Sequence, residues 1–424
     1  MKIDLEYGRQ GLAITLPDQQ VDVLSPHHLS GLEDEAATFA ISAAEPIGTE
    51  PLQTLIHSND RVAVAVPDGT RPFPSRRVLP MLLKVLNHVP PSQLTILIGT
   101  GSHRANTREE LEQMLGPEIL EQCEVINHNA FERDDLVEAG RTVDDRPIWL
   151  NRRYVEADKR IVMGFIEPHF MAGFSGGYKG VFPAVAGIDS IRHYHRAQVI
   201  GHPRSTWGVL ENNPTQEQVR HNGSQVPVDF LINVTLNRAK AITAWFCGDP
   251  IQAHEAGCEF ARQHAMVPCS EPYDLVLTTN SGYPLDQNLY QAVKGMSAAA
   301  QVVRPGGRIV VAAECNDGFP AHGNFQKLLV QYSDAKSLLD AIESWEEPVV
   351  DQWQLQLLAL ILLKARVDIH CTIEPDLIRQ AHMTPIDNLQ RHLDKLLADP
   401  GEFRRIAVLP EGPQTIPYLT TTTV

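Results

Sequence analysis

The chain has 424 residues, more than a single hydrophobic core usually supports, and 43% of them are hydrophobic, so two globular domains are predicted. Its 52 acidic and 36 basic residues give a formal net charge of -16, which argues against non-specific binding to nucleic acid or to an anionic membrane. The longest apolar run, residues 355–363, is far shorter than the roughly 20 residues of a membrane span. The start MKIDLEYGRQ lacks the features of a signal peptide, which predicts a cytoplasmic protein.

Six cysteines stand at positions 123, 247, 258, 269, 315 and 371, with no CxxC pair and no zinc-type cluster. Reducing conditions in the cytoplasm keep such thiols free. The spacing therefore predicts buried free thiols, to which no chemistry is assigned.

Two βα units are predicted early in the chain. Residues 61–66 (RVAVAV) predict a buried strand, followed by the loop PDGTRPFP and a helix over residues 75–88. Residues 94–98 (LTILI) predict a second strand, followed by GTGSHRAN and a helix that Thr107 and Glu110 begin as a capping box. Strands that alternate with helices favour an α/β fold with a mainly parallel sheet.

A third predicted strand, residues 160–165 (RIVMGF), leads into the segment EPHFMAGFSGGYKGVFPAVAG at 167–187. The apolar residues of this segment follow no helical or strand period, and its glycines let a ligand approach the backbone closely. His169 and Lys179 lie within it. The segment is either a binding loop or a surface loop with an incidental histidine and lysine.

Polar side chains follow all three predicted strands. Asp68 and Arg71 come after the first strand, His103 after the second, and His169 with Lys179 after the third. Ligands of open parallel sheets bind at the loops that follow the carboxyl ends of the strands. An isolated histidine is more often structural, but several that converge on one sheet edge favour a single active site.

The next predicted helix, SIRHYHRAQVI, contains His193 and His195. Residues two apart on a helix point to different faces, so a direct role is expected for one of them, and the pattern does not choose which. A strand at 230–236 and a helix that begins near Pro250 follow. The segment MVPCSEPYD at 266–274 has two prolines and no period, and is the predicted linker.

A further βαβ unit predicts a second, Rossmann-like domain. Its strands are YDLVLTT at 273–279 and RPGGRIVVAA at 304–313, and Asp286 is the predicted N-cap of the helix between them. That helix carries polar residues that are either functional or part of a solvated face: Gln287, Tyr290, Gln291 and Lys294. An apolar helix begins at Trp353.

A short strand near the end of the chain, within RIAVLPEGPQTIPYL, is predicted to rejoin the first domain. The predicted domains are therefore 1–268 together with 400–424, and 269–399.

Five motifs in order resemble the nickel-pincer lactate racemase family, and the resemblance covers essentially the whole chain. They are DGTR at 68–71, TGSHR at 100–104, EPHFMAGFSGGYKG at 167–180, RHYH at 192–195 and LYQAVKG at 289–295. The ending LPEGP is similar as well. The resemblance implies a two-domain α/β protein with its active site in the cleft between the domains.

The resemblance also implies an activity, which is inversion of the α-carbon of a 2-hydroxy acid, lactate or a related acid. Loss of the α-hydrogen as a proton is difficult because the adjacent carboxylate cannot easily take more negative charge, whereas loss as a hydride gives a neutral ketone. The family's hydride acceptor is a nickel pincer, pyridinium-3,5-bisthiocarboxylic acid mononucleotide, attached to a lysine that matches Lys179. Proteins that build this cofactor are implied as partners.

Roles of further residues are carried over from the matching motifs. His195 matches the nickel ligand, a role that imidazole suits. His103 and His169 match two bases, one for each enantiomer, because histidine exchanges protons near neutral pH. Arg71 offers a bidentate fork for the substrate carboxylate. The remaining matches are Asp68, Gly176 and Gly177 beside the cofactor and Tyr290, Gln291, Lys294 and Trp353 around the substrate.

Three alternatives stay open. The first is the same cofactor with another 2-hydroxy acid, such as malate or a longer aliphatic or aryl acid. The second is a nicotinamide dehydrogenase, although GTGSHRAN does not complete the GxGxxG fingerprint. The third is a ligand-binding protein without catalytic activity.

Overall fold

The computed structural model describes residues 1–18, 20–320, 323–399 and 401–420. These residues form two compact units. The first unit contains His28–Tyr194 and Arg204–His264, and the second contains Met1–His27, His195–Pro203 and the chain from Ala265 onward. Within the described ranges, no helix has both the length and the apolar character needed to cross a membrane.

Strands and helices alternate through both units. The strands are β1 Lys2–Leu5, β2 Leu12–Thr15, β3 Val21–Val23, β4 Val62–Pro67, β5 Leu94–Gly99, β6 Glu124–Asn127, β7 Leu136–Arg141, β8 Pro147–Asn151, β9 Lys159–Phe165, β10 Pro168–His169, β11 Gly173–Phe174, β12 Phe230–Leu236, β13 Ile242–Gly248, β14 Met266–Cys269, β15 Tyr273–Thr279, β16 Val303–Ala312, β17 Arg366–His370, β18 Thr384–Pro385, β19 Ile406–Leu409 and β20 Ile416–Leu419. The helices are α1 Glu35–Ala44, α2 Leu52–Leu55, α3 Ser75–Val85, α4 Arg108–Leu115, α5 Pro117–Gln122, α6 Arg152–Val155, α7 Ile188–Tyr194, α8 Ala197–Ile200, α9 Pro214–Gly223, α10 Gln252–Ala265, α11 Leu289–Ala300, α12 Phe325–Gln331, α13 Ala335–Ser344, α14 Gln352–Lys364, α15 Pro375–Gln380 and α16 Leu389–Leu396.

The first unit contains a sheet in the order β13-β12-β9-β4-β5-β6, in which only the β12–β13 pair is antiparallel. Alternate residues of β4 pack into different cores: Val62, Val64 and Val66 on one face, Ala63 and Ala65 on the other. Because both faces are covered, the strand is apolar throughout, as is typical of parallel sheets. The predicted strands and the Thr107 capping box of α4 are confirmed.

The strand order of the first unit reverses at β4. From β4 the chain adds β5 and β6 on one side, and it then returns to place β9 and β12 on the other side. In open α/β sheets such a switch point leaves a crevice at the carboxyl ends of the strands, where ligands bind. The loops that follow β4 and β9 carry Asp68, Arg71 and Lys179, so the topology places these residues at the switch point.

The second unit contains a parallel sheet in the order β18-β17-β16-β15-β19-β3. Its core includes Leu275 and Leu277 of β15, Val310 of β16 and Val408 of β19. The predicted α/β class with mainly parallel sheets is therefore confirmed.

Two expectations about chain ends and connections differ from the structure, although the change of unit between His264 and Ala265 lies next to the predicted linker. Residues 266–269 of the predicted linker form β14, which pairs with β20 from Met266–Ile416 to Cys269–Leu419. The strand predicted to rejoin the first domain, β19, instead lies between β15 and β3 in the second unit. In both cases the partner strand is more than a hundred residues away in sequence, and no local pattern encodes such a pairing.

Candidate active site

The loop that carries Lys179 is fixed to the first unit by two buried polar side chains. Asn233, on β12, accepts a hydrogen bond of 2.8 Å from the amide of Gly177. His254, on α10, donates from Nε2 to the Ser175 carbonyl at 2.9 Å. A Cβ atom at Gly177 would lie 2.7 Å from the His254 ring, and Gly177 has a φ of +56°, so both space and conformation require glycine there.

The amine of Lys179 is held in an unusual electrostatic environment. Burial, and then the positive charge of Arg71, lower the pKa of Lys179 to about 7. Within the described ranges its side chain has no hydrogen-bond or ion-pair partner. At neutral pH a large share of this amine is therefore uncharged, which is the form that attacks an electrophilic carbonyl carbon.

His103 is oriented by a buried carboxylate. Its Nδ1 lies 2.8 Å from Oδ2 of Asp68, which is 4% exposed, and Thr70 Oγ1 donates to the other carboxylate oxygen at 2.8 Å. Burial raises the pKa of Asp68, but its hydrogen bond to His103 and the charges of His103 and Arg71 outweigh burial and lower that pKa. Asp68 is thus an ionised acceptor, so Nδ1 of His103 donates and Nε2 of the neutral ring is left as an acceptor.

Arg71 completes a first-unit cluster with Asp68, His103 and Lys179. A turn places it there, since its amide donates to the Asp68 carbonyl at 3.0 Å. Its side chain is exposed and, in the part of the chain that the structure describes, has no hydrogen-bond or ion-pair partner. Its charge lowers the pKa values of both Asp68 and Lys179. A solvent-facing guanidinium beside an uncharged amine and an oriented imidazole can bind an anion.

His169 is oriented differently from His103. It lies in β10, which pairs with β11 through His169 and Gly173. Its Nδ1 accepts hydrogen bonds from the amides of Met171 at 3.2 Å and Ala172 at 3.1 Å. Because Nδ1 is an acceptor, the neutral ring carries its proton on Nε2.

The amide of Gly177 takes part in the fold of the loop. The resemblance places Gly177 beside the cofactor, and its amide donates to Oδ1 of Asn233. Gly176 has a φ of +81°, and a Cβ atom there would lie 2.6 Å from Oδ1 of Asn233. Gly176 therefore lets the loop approach Asn233, and Gly177 lets it approach His254. The sequence signal that was missed is a single polar residue in the apolar strand FLINVTL.

His193 and His195 are separated by the end of α7. The predicted helix was too long, because α7 ends at Tyr194 and a new short helix begins at Ala197. His193 is buried in the first unit, where its Nε2 lies 3.0 Å from a carboxylate oxygen of Asp144. This contact gives His193 a structural role.

His195 belongs to the second unit and lies in a cluster with two other predicted site residues. Its ring centroid is 4.5 Å from that of Trp353, whose Nε1 donates to Tyr290 Oη at 2.9 Å. The structure thus brings His195, Trp353 and Tyr290 together as the second-unit cluster. Among the described residues, no three His, Cys, Asp or Glu side chains are placed to hold a metal ion together.

Buried glutamines of α14 support the second-unit cluster, and the sequence interpretation missed them. Gln352 donates to the His195 carbonyl at 3.2 Å and Gln354 to the Tyr290 carbonyl at 2.6 Å. Both glutamines are 1% exposed. Their signal was the alternation of glutamine with apolar residues in QWQLQLLALILLK. A buried amide requires a partner, and here the partners are the backbones of two predicted site residues.

The start of α11 also differs from the prediction. Asn288, not Asp286, is the N-cap, since it accepts from the amide of Gln291 at 3.0 Å. Asp286 is fully buried and accepts from the amides of Gly8 at 2.8 Å and Glu314 at 3.0 Å. It therefore fastens three segments of the second unit instead of capping a helix.

The dehydrogenase alternative is disfavoured by the loop after β5. In a dinucleotide fold the glycine-rich turn leads directly into a helix whose N-terminus binds the pyrophosphate. Here α4 begins only at Arg108, and Arg104 is paired with Glu110 at 2.6 Å. The helix N-terminus therefore does not follow Gly101 directly, as a dinucleotide site requires.

Acid should weaken the anchoring of the Lys179 loop, because burial lowers the pKa of His254 from 6.5 to about 4. An imidazole whose pKa is lower in the folded state binds more protons when the protein is unfolded. The stability that neutral His254 contributes is therefore complete above pH 6.5 and is lost as pH falls toward 4. We expect the free energy of unfolding to drop by about 2 kcal/mol from this residue between about pH 7 and pH 5.

Urea unfolding at both pH values measures this loss. His254→Gln can still donate to the Ser175 carbonyl but does not titrate, so its stability should depend less on pH than that of the wild type. An unchanged pH dependence in this variant would contradict the assignment. His128, whose pKa burial also lowers to about 4, supplies the residual dependence.

Comparisons with known proteins decide the family. The family models of the lactate racemase N-terminal domain and C-terminal domain match residues 7–208 and 269–416. The chain is 33% identical over 428 residues to a lactate racemase of Thermoanaerobacterium thermosaccharolyticum, covering 98% of each chain. It is 34% identical over 419 residues to one of Lactiplantibacillus plantarum, covering 97% of this chain and 98% of that relative. The chain belongs to the lactate racemase family.

Solved structures agree with this lactate racemase family assignment. The structure of the lactate racemase apoprotein from T. thermosaccharolyticum matches with a TM-score of 0.92 at 32% identity, covering 98% of this chain and 100% of that one. A structural-genomics protein from Thermotoga maritima matches with a TM-score of 0.70 at 18% identity, covering 93% of this chain and 100% of that one, which shows a shared fold. The predicted family and the predicted isomerase class are confirmed.

Proposed function

We propose that this protein interconverts the enantiomers of a 2-hydroxy acid, with lactate as the first candidate. We further propose that it uses a nickel-pincer pyridinium mononucleotide attached to Lys179. The family assignment supports the reaction, since both curated relatives are named lactate racemase. The observation that carries the proposal is the amine of Lys179 at the switch point of the first sheet, whose pKa is lowered to about 7 by burial and by the charge of Arg71.

The residues of the first unit fit such a cofactor. Attachment through an amide or thioamide requires a neutral amine, and the lowered pKa of Lys179 provides one near neutral pH. The rigid loop, fixed by Asn233 and His254, holds that amine in place. When bound, the cofactor would supply a hydride acceptor that returns the hydride to either face of the substrate. His195 is proposed as the protein ligand of its nickel.

Arg71 and His103 would bind and activate the substrate. The exposed guanidinium of Arg71 can hold the carboxylate through two parallel hydrogen bonds. Nε2 of His103 can accept the hydroxyl proton, while Asp68 stabilises the imidazolium that forms. This arrangement explains why a buried carboxylate lies behind a histidine whose side chain is 43% exposed.

His169 would serve the opposite enantiomer. Its Nδ1 accepts two backbone amides, so at rest the ring presents an N–H at Nε2. In this state His169 donates a hydrogen bond to the substrate oxygen, whereas His103 accepts one. The two histidines therefore offer complementary groups to the substrate oxygen, a hydrogen-bond acceptor on His103 and a hydrogen-bond donor on His169.

The remaining assignments extend the proposal. Tyr290 and Trp353 lie in the second-unit cluster with His195, and Gln291 and Lys294 lie on α11, so we propose that these four residues of the second unit bind substrate. We also propose a cytoplasmic location and interaction with proteins that build the cofactor.

The proposal is tested with protein isolated from cells that build the nickel cofactor. Purified protein is given single enantiomers of lactate, malate and longer aliphatic and aryl 2-hydroxy acids, and the products are separated on a chiral column. Conversion of both lactate enantiomers supports the proposal, and preference for another acid would change only the substrate. Tight binding without conversion of any acid would contradict it.

Replacement of Arg71 by lysine should weaken substrate binding. Lysine keeps the positive charge but loses the two-pronged contact with a carboxylate. Charge-assisted hydrogen bonds contribute about 1.5 to 3 kcal/mol, so we expect KM to rise about 10- to 100-fold, with a smaller change in kcat. Steady-state kinetics with each enantiomer measures this. Arg76→Lys, at an exposed position on α3, is the matched control, and equal constants for both variants would argue against Arg71 as the anchor.

A further inference from the structure

Cys315 and Cys371 follow two neighbouring strands of the second unit. The strands β16 and β17 are paired up to Ala312 and His370, and the pairing continues beyond them because the Thr372 amide donates to the Glu314 carbonyl at 2.9 Å. Each thiol shifts the pKa of the other. Two cysteines far apart in sequence are thus placed just beyond the ends of two paired strands, at one sheet edge.

The backbone at Cys315 is strained. Its φ is 51°, a left-handed conformation that non-glycine residues seldom adopt. Surrounding hydrogen bonds hold it there: its amide donates to the Asp286 carbonyl at 2.9 Å, and its carbonyl accepts from the Gly318 amide at 2.8 Å and from Thr372 Oγ1 at 3.1 Å. Strain that the surroundings maintain is characteristic of functional positions.

Cavities lie beside both cysteines. A cavity of about 420 Å³ is lined by Cys315 together with Phe319, Thr372 and Glu374. A second cavity of about 270 Å³ is lined by Cys371 and Glu374. Cys315 itself is fully buried, whereas Cys371 is partly exposed. The prediction of buried thiols therefore holds for Cys315 and is wrong for Cys371, which is the accessible member.

The two thiols differ in their readiness to ionise. The interaction with Cys315 lowers the pKa of Cys371, and the same interaction, followed by burial, raises the pKa of Cys315. Burial raises the pKa of each of the other four thiols, which belong to Cys123, Cys247, Cys258 and Cys269. Cys371 is thus the nucleophilic thiol of the chain, with Cys315 beside it as a second thiol that can resolve a mixed disulfide.

We propose that Cys315 and Cys371 are a reactive dithiol that forms a reversible disulfide with low-molecular-weight disulfides such as oxidised glutathione. The Cys371 thiolate attacks one sulfur of oxidised glutathione, forms a mixed disulfide and releases one glutathione thiolate. Cys315 then loses its proton and attacks Sγ of Cys371, which releases the second glutathione. Two protein thiols are oxidised, one glutathione disulfide is reduced, and the two protons end on two glutathione molecules.

The disulfide would act on the helix that carries Tyr290. The segment after Cys315 is bonded to the start of α11, since the Asp317 amide donates to the Gln287 carbonyl at 2.8 Å and the Leu289 amide to the Gly318 carbonyl at 3.0 Å. A shift of Cys315 toward Cys371 displaces these contacts. An accompanying fall in racemase turnover rests on the proposed function, whereas disulfide formation does not.

The test uses the reduced full-length protein, incubated with oxidised glutathione, and thiols are counted after denaturation and acid quenching. Wild type should fall from six free thiols to four, and peptide mapping should find Cys315 joined to Cys371. Cys315→Ser should retain one glutathione on Cys371, and Cys371→Ser should keep its thiols free. Cys258→Ser, in the first unit, is the matched control and should form the same disulfide as wild type.

Retention of all six thiols in wild type, or a disulfide that involves another cysteine, would overturn the proposal. If a serine variant does not fold, brief treatment of reduced wild type with iodoacetamide replaces it, and first alkylation at any residue other than Cys371 would also overturn the proposal. Turnover of the oxidised protein is measured separately. Unchanged turnover with the disulfide formed would overturn only the link to α11, and dithiothreitol should restore any activity that is lost.

Discussion

Lys179→Ala should yield a folded protein without covalently attached cofactor and with racemase activity reduced by at least about 10³-fold, since the variant lacks the amine to which we propose the cofactor is attached. The amine is partly buried and unpaired within the described ranges, so its removal breaks no hydrogen bond there. Burial destabilises the charged form of this amine. Its removal should therefore leave the free energy of unfolding unchanged or slightly higher.

Intact mass and activity of the purified variant measure this effect together. Lys84→Ala, at an exposed position on α3, is the control and should retain both cofactor and activity. Wild-type turnover of the Lys179→Ala protein would contradict any role of Lys179 in the reaction. A variant that retains a noncovalent cofactor and partial activity would show that the tether serves retention.

Asp68→Asn should lower turnover of both enantiomers by about 10²- to 10⁴-fold, as expected when a carboxylate that orients a catalytic histidine is neutralised. The amide of asparagine can donate to Nδ1 of His103, which would move the ring proton to Nε2 and remove the acceptor. Because His103 would take the proton from one enantiomer and return it to the other, both directions should suffer.

Thr70→Val is the matched control for this substitution. It removes only the hydroxyl that donates to the other oxygen of Asp68 at 2.8 Å, and leaves the contact with His103 in place. We expect a loss of less than about tenfold, because one hydrogen bond contributes about 1 kcal/mol. Chiral assays measure the turnover of both variants. Equal losses of turnover in Asp68→Asn and Thr70→Val would mean that Asp68 acts through packing and not through His103.

Much of the first unit could be predicted because its information is local. The strands β4, β5, β9 and β12 are continuous apolar runs, and the capping box at Thr107 is encoded within four residues. Loops that follow parallel strands converge by topology, so Asp68 and His103 could be grouped before their 2.8 Å contact was known.

The features that the sequence alone did not predict depend on residues that are distant along the chain. The strand β14 exists only because β20 pairs with it, and the amide of Gly177 is occupied by Asn233 from another strand. The lowered pKa of Lys179 likewise arises from burial and from Arg71, which lies more than a hundred residues earlier. The placement of Cys315 and Cys371 at one sheet edge could not be expected from their spacing, because it follows from the pairing of β16 with β17.

The most direct test of the proposed reaction uses L-lactate that carries deuterium at carbon 2, incubated in ordinary water with protein from cells that build the cofactor. Chiral separation followed by mass analysis of the D-lactate reports both inversion and the fate of the transferred atom. Transfer as a hydride predicts D-lactate that retains deuterium at carbon 2. D-lactate with hydrogen from water at that carbon would contradict hydride transfer, and the absence of any D-lactate would contradict racemisation of lactate itself.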